Sequence, residues 1–203
     1  IVPTTTEYTW TVTGSAFISG AVDNTTQAVS ISQTLVNSTN TVQQVVYTVT
    51  PISTAIGSCI GDPFTITVSV NPTPIIANAA LEVCSETPFS YSAAGDGSED
   101  SDNVPANSTY TWTVIDNPNI LGETTDITGV ATLDQTLVNV TNTSQLVVYT
   151  VTATSDLGCV GDEFSLSVTV DPVPLILDTT SDICSGATFA YTATSPTVGA
   201  NNS

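Results

Sequence analysis

Phe64-Thr-Ile-Thr-Val-Ser-Val70 and Phe164-Ser-Leu-Ser-Val-Thr-Val170 read as one strand written twice. In both, an apolar residue at every second position alternates with Thr or Ser, the period of a strand that buries one face. The inward residues are aromatic or aliphatic, and Val, Ile and Thr are β-branched, which suits a pleated surface and disfavours helix. Tyr8, Trp10 and Val12 alternate with Thr9, Thr11 and Thr13 in the same way. Nowhere does a stretch keep i, i+3, i+4 apolar spacing with helix formers, so the expected fold class is all-β with minimal helix.

Working outward, the likeness extends to nearly the whole chain. Tyr8-Thr-Trp10-Thr-Val12 returns as Tyr110-Thr-Trp112-Thr-Val114, Gln33-Thr-Leu-Val-Asn37 as Gln135-Thr-Leu-Val-Asn139, and Val45-Val-Tyr47-Thr-Val-Thr50 as Val147-Val-Tyr149-Thr-Val-Thr152, each 102 residues later. Beyond a loop two residues shorter the offset becomes 100: Cys59-Ile-Gly-Asp-Pro-Phe64 matches Cys159-Val-Gly-Asp-Glu-Phe164, Asn71-Pro-Thr-Pro74 matches Asp171-Pro-Val-Pro174, and Val83-Cys-Ser85 with Phe89-Ser-Tyr91 matches Ile183-Cys-Ser185 with Phe189-Ala-Tyr191. Short strands separated by Gly, Asn, Asp and Pro, in units of about 100 residues, predict tandem immunoglobulin-like antiparallel β-sandwiches joined by stiff Pro pairs into a rod.

The expected boundaries are 1–74, a unit without its opening strands; 75–174, a complete unit; and 175–203, the opening strands of a following unit. On this reading the sequence is a window on a longer array, and the runner-up is a polymer in which the tail of one chain donates strands to the incomplete sheet of the next. The repeated aromatics Trp10, Tyr47, Phe64, Trp112, Tyr149 and Phe164 are the candidate core.

The 203 residues contain 19 acidic side chains and no Lys, Arg or His, giving a formal charge of -19. An ordinary domain of this length holds roughly 50 charged residues of both signs. Without cations there is nothing to neutralise phosphates, and an anionic membrane surface repels the chain, so nucleic-acid partners and membrane insertion are not expected. Catalysis that needs His, Lys or Arg is excluded within the chain, which leaves a two-carboxylate hydrolase as the only common enzyme reading.

These motifs, from Ile183-Cys-Ser-Gly186 through Tyr-Thr-Trp-Thr-Val and Val-Val-Tyr-Thr-Val-Thr to Gly-Cys-x-Gly-Asp-x-Phe and Asn/Asp-Pro-x-Pro, resemble the PKD-like and Ig-like repeats of giant surface proteins in Bacteroidota, of which gliding adhesins of the SprB kind are an example. The resemblance implies a non-enzymatic stalk of a long filament, exported by the type IX pathway to the bacterial cell surface. Its partners would be neighbouring repeats of the same filament and a surface or glycan ligand. The abundance of Thr, Ser and Asn and the lack of sites for trypsin-like proteases also suit an extracellular setting.

Asp96, Glu99, Asp100 and Asp102 fall within a short loop whose counterpart in the next repeat has no carboxylate. They are the candidate metal ligands, for weakly bound Ca²⁺ at most; no other cofactor is expected. Four widely spaced cysteines without C-x-x-C pairing suggest disulfides. Counting by unit pairs Cys84 with Cys159 and leaves Cys59 and Cys184 to neighbouring units; the rival pairing is Cys59 with Cys84 and Cys159 with Cys184, across the Pro-rich junctions. The sequons at Asn24, Asn37, Asn107, Asn139 and Asn142 are what a chain rich in Asn, Ser and Thr generates by chance. Between a structural or adhesive array, a carbohydrate-binding module and a hydrolase, the repetition favours the array: an active site is built once, whereas here the distinctive residues occur twice.

Overall fold

The computed structural model describes residues 3, 5–55, 57–93, 102–176 and 178–192. In chain order the strands are β1 (Thr6–Gly14), β2 (Ile18–Ser19), β3 (Asn24–Ala28), β4 (Val36–Asn37), β5 (Gln43–Ser53), β6 (Phe64–Val70), β7 (Ala79–Cys84), β8 (Pro88–Tyr91), β9 (Thr109–Val114), β10 (Ile120–Leu121), β11 (Asp126–Val130), β12 (Leu133–Thr136), β13 (Val138–Asn139), β14 (Gln145–Thr154) and β15 (Val160–Asp171). The described residues contain no α-helix, and the protein is an all-β sandwich structure. It divides into two compact units, one gathering Ile1–Ile76 with Glu99–Ser108 and Ala153–Asp162, the other Ala77–Ser98, Thr109–Thr152 and Glu163–Ser203.

The second unit shows how the alternating pattern becomes a core. Its large sheet has the order β11-β9-β14-β15-β7. Within it β11 pairs with β9 antiparallel, whereas β7 lies parallel to β15, with Leu166 opposite Ala79 and Asp171 opposite Cys84. Every second residue of β14 and β15 points inward: Val147, Tyr149, Val151, Phe164, Leu166, Val168 and Val170 are all buried. The facing layer is built from β8 paired with β12 and β10 paired with β13. It contributes Phe89, Tyr91, Leu133 and Ile120, together with Leu137 from the turn that follows β12, all buried. Two tilted ring pairs join the layers, Phe89 on Tyr149 at 6.4 Å and Tyr91 on Phe164 at 6.1 Å between centroids. Each such pair adds about 0.5–1.5 kcal/mol beyond the area it buries.

The first unit has the same frame, with less of it covered by the described residues. Its sheet runs β3-β1-β5-β6, and β2 pairs with β4. β1 and β5 pair over nine residues, with Trp10 opposite Val49 and Val12 opposite Tyr47. Trp10, Val45, Tyr47 and Val49 form its buried cluster. Phe64 corrects the core expectation: it is 45% exposed, whereas its counterpart Phe164 is 3% exposed. The reason is local. Phe164 lies under Tyr91 of β8, and no described segment of this chain takes that place over Phe64; Ile66, at 39%, is uncovered for the same reason where Leu166 is fully buried.

A repeated glycine makes one close approach possible in each unit. Gly20 and Gly122 have φ of +86° and +94°, and a Cβ there would lie 1.9 Å from Thr34 O and 2.3 Å from Thr136 O. Only glycine meets both demands. Replacing Gly122 by Ala is expected to destabilise the second unit by at least about 2 kcal/mol, because backbone must move as well as φ being strained. Gly158→Ala is the control, since Gly158 has φ +81° but open space around it, and should cost only roughly 1–2 kcal/mol of left-handed strain. Urea unfolding of the two variants measures the difference.

Candidate functional site

The polar atoms at the centre of each unit form one linkage, built twice. In the first unit the Trp10 Nε1–H donates to Val22 O at 3.0 Å, and Gln33 Nε2 donates to the same carbonyl at 2.7 Å. Gln33 Oε1 accepts from the Tyr47 hydroxyl at 2.8 Å and from Val22 N at 3.2 Å. In the second unit Trp112 Nε1 and Gln135 Nε2 both donate to Thr124 O at 2.8 Å, and Gln135 Oε1 accepts from Tyr149 Oη at 2.6 Å and from Thr124 N at 3.3 Å. One amide therefore ties the Tyr hydroxyl to the backbone at Val22 or Thr124, whose carbonyl the Trp indole shares. Burial pushes both phenols above their ordinary pKa, and for Tyr149 the charge of Glu123 adds to the effect. Neither indole offers a stacking platform for a sugar, because Trp10 and Trp112 are buried with their N–H groups engaged.

Asn37 and Asn139 are a second repeated device. Asn37 Nδ2 donates to Thr41 O at 2.7 Å and Val70 O at 2.9 Å, and Asn139 Nδ2 to Thr143 O and Val170 O, both at 2.8 Å. Their Oδ1 atoms accept from the backbone and hydroxyl of Thr39 and of Thr141. Both amides are thus structural, and a glycan on either sequon would break these bonds.

Of the acidic loop, Asp96, Glu99 and Asp100 lie outside the described residues, and Asp102 is half-buried. Among the described residues no group of three or more His, Cys, Asp or Glu is placed to hold a metal ion. No two of the four cysteines are joined within this chain; Cys59, Cys84 and Cys184 are exposed and Cys159 is half-buried. The pairing of Cys84 with Cys159 is corrected by strand geometry. Cys84 stands opposite Asp171 at the end of β15, whereas Cys159 precedes its start at Val160. A strand of that length spans about 36 Å, and a disulfide needs Cα atoms within about 7 Å.

Residues 2–74 and 81–174 match the PKD-like domain. The chain belongs to the PKD-like domain family. Domains of this family are typically extracellular and non-catalytic. No curated protein matches the chain. Among the described residues no helix is long and apolar enough to cross a membrane.

Within this PKD-like pair, Glu123 is the polar group that the repeat does not share, since Ala21 holds its position in the first unit. Glu123 Oε2 accepts from Asn117 N at 3.0 Å, and Oε1 is buried with no hydrogen-bond partner. Burial raises its pKa, the Asn117 bond lowers it, and the neighbouring Asp116 raises it. Gln33 and Gln135 were visible in the sequence as part of a repeated motif, and their alternation with Leu35 and Leu137 was the signal that they point inward. Glu123 carried no signal, because nothing in the other repeat marks it.

Two measurements follow from these sites. Peptide mapping of the non-reduced protein is expected to recover no Cys84–Cys159 link; finding one would overturn the β7–β15 pairing. For Glu123 the folded pKa exceeds the ordinary 4.5, so its stabilising contribution is complete below that value and is lost as pH rises through the raised one. Glu123→Gln should therefore leave the melting temperature unchanged near pH 4 and raise it at higher pH. Thermal unfolding of both proteins across pH 4 to 8 reads this directly, with every other carboxylate common to the two.

Proposed function

We propose that the chain is a structural and adhesive repeat segment of a long extracellular bacterial surface filament, the stalk of an adhesin of the kind used in gliding. The observation that carries this reading is the fate of the repeated residues. Trp10 and Trp112, Tyr47 and Tyr149, Gln33 and Gln135, and Asn37 and Asn139 all go into holding a sandwich together. What the chain repeats is a scaffold, and a scaffold is what a filament needs in many copies. Membership of the PKD-like family supports an extracellular structural role. Export by the type IX pathway belongs to the same reading, as does a surface or glycan ligand held elsewhere on the filament.

The charge fits the setting. Uniformly negative rods stay apart at low salt and approach one another once the field is screened over about 8 Å at physiological ionic strength. Immunogold labelling of intact source cells with an antibody against this chain tests the proposal. Labelled fibres extending from the cell surface are expected, and label confined to the cell interior would overturn it. A glycan array probed with the same protein is expected to stay blank; micromolar binding to one sugar would move the reading to a carbohydrate-binding module.

A further inference from the structure

We propose that the second unit forms a covalent ester between the Thr124 hydroxyl and the side-chain amide of Gln135, with loss of ammonia. Thr124 lies two residues before β11, a strand of the large sheet, and Gln135 lies on β12, in the facing layer. The bond would therefore staple the two layers of one sandwich together.

The inference starts where the two repeats differ. Gln33 and Gln135 hold the same place, and the Oε1 of each accepts from a Tyr hydroxyl. The carbonyl that Nε2 reaches belongs to Val22 in the first unit and to Thr124 in the second. The second unit thus adds a hydroxyl at this spot, and Gln135 Nε2 lies 2.8 Å from Thr124 Oγ1.

A side-chain amide is a poor electrophile, and the cluster offsets this in two ways. Holding the nucleophile against the amide makes the reaction intramolecular, which is worth an effective concentration of about 10⁵ M or more when the groups are well aligned. Attack requires Oγ1 to swing from the nitrogen it touches to the adjoining Cδ. The carbonyl oxygen, where negative charge develops, already has two donors, Tyr149 Oη at 2.6 Å and Thr124 N at 3.3 Å. Such preset donors stabilise a tetrahedral intermediate.

The step balances within the chain. Thr124 Oγ1 bonds to Cδ and its proton passes to Nε2; the Cδ–Nε2 bond then breaks with its electron pair on nitrogen, and ammonia departs. Nothing is oxidised or reduced. The product orphans no group, because Thr124 O keeps the Trp112 indole at 2.8 Å and the ester carbonyl keeps Tyr149. Gln135 is 7% exposed, which shields the ester carbonyl from water. A reaction that happens once per molecule, and whose product cannot diffuse away, has no need to be fast.

Intact-mass measurement of the full chain, kept folded for a week at pH 7 and 37 °C, tests the proposal. A loss of about 17 Da, the mass of one ammonia, is expected once per chain. Cleavage before aspartate should then release residues 116–125 and 134–155 as one joined species that hydroxylamine splits. Thr124→Val installs the residue type that the first unit has at this place, so it should fold and keep its full mass, whereas Thr124→Ser should still lose ammonia. Tyr149→Phe should slow the loss about 100-fold or more, as removal of one oxyanion donor does. Tyr47→Phe, the same change in the unit without the hydroxyl, should leave the rate unaltered. The Thr124 pair decides the matter even if Tyr149→Phe fails to fold. A chain that retains its full mass, a 17 Da loss that maps to an asparagine, or a loss that survives Thr124→Val would each overturn the inference.

Discussion

A β-sheet with one apolar face holds its shape only when a second layer covers that face, and here the decisive cover is a strand of four residues, Pro88–Tyr91. Phe89 and Tyr91 bring two rings to the sheet, and around them Phe164, Leu166, Leu133 and Leu137 become buried. In the first unit no described strand takes that place, and Phe64 and Ile66 are 45% and 39% exposed. Burying such side chains is worth about 1.5–3 kcal/mol each, so a few residues decide whether a unit of this kind closes. The difference between the two units is therefore one of cover, with the frame of β1, β5 and β6 matched by β9, β14 and β15.

The second constraint is the absence of every cation. An ordinary sandwich has ion pairs at its disposal to hold loops and edges; this one uses neutral amides and hydroxyls. Gln135 links Thr124 to Tyr149, Trp112 donates to the same Thr124 carbonyl, and Asn139 fixes the turn after β13. Even exposed carboxylates follow the rule: Asp126 accepts from the Thr128 backbone at 2.6 Å and its hydroxyl at 2.7 Å, bonds that lower its pKa. Neutral partners lose little when salt screens charges, which suits a protein whose net charge must remain far from zero.

Much of this was legible in the sequence. The period-two runs gave the strands, the two offsets gave the repeat, and the paired Trp and Tyr residues marked strand positions facing inward. Phe64 was misread because its burial depends on a strand that repeats elsewhere in the sequence, and periodicity along β6 reports which face is apolar without reporting what covers it. The pairing of Cys84 with Cys159 was misread because counting by unit says nothing of which end of a strand each one occupies. Glu123 was invisible because a departure from a repeat carries no pattern, and its buried oxygen is a property of packing. The acidic loop was read from composition alone, and three of its four candidate ligands fall outside the described residues.

The parallel pairing of β7 with β15 has a mechanical meaning. The chain enters the sheet at Ala79, beside Leu166, and leaves it at Asp171, beside Cys84. Tension on the polypeptide on either side would pull these neighbours in opposite directions along their common axis. The backbone hydrogen bonds between them would then be loaded together, in shear, instead of being unzipped one at a time from an end. A clamp of this geometry resists stretching until its whole length gives way at once, so the strand that seals one edge of the sheet is also the part that would bear load.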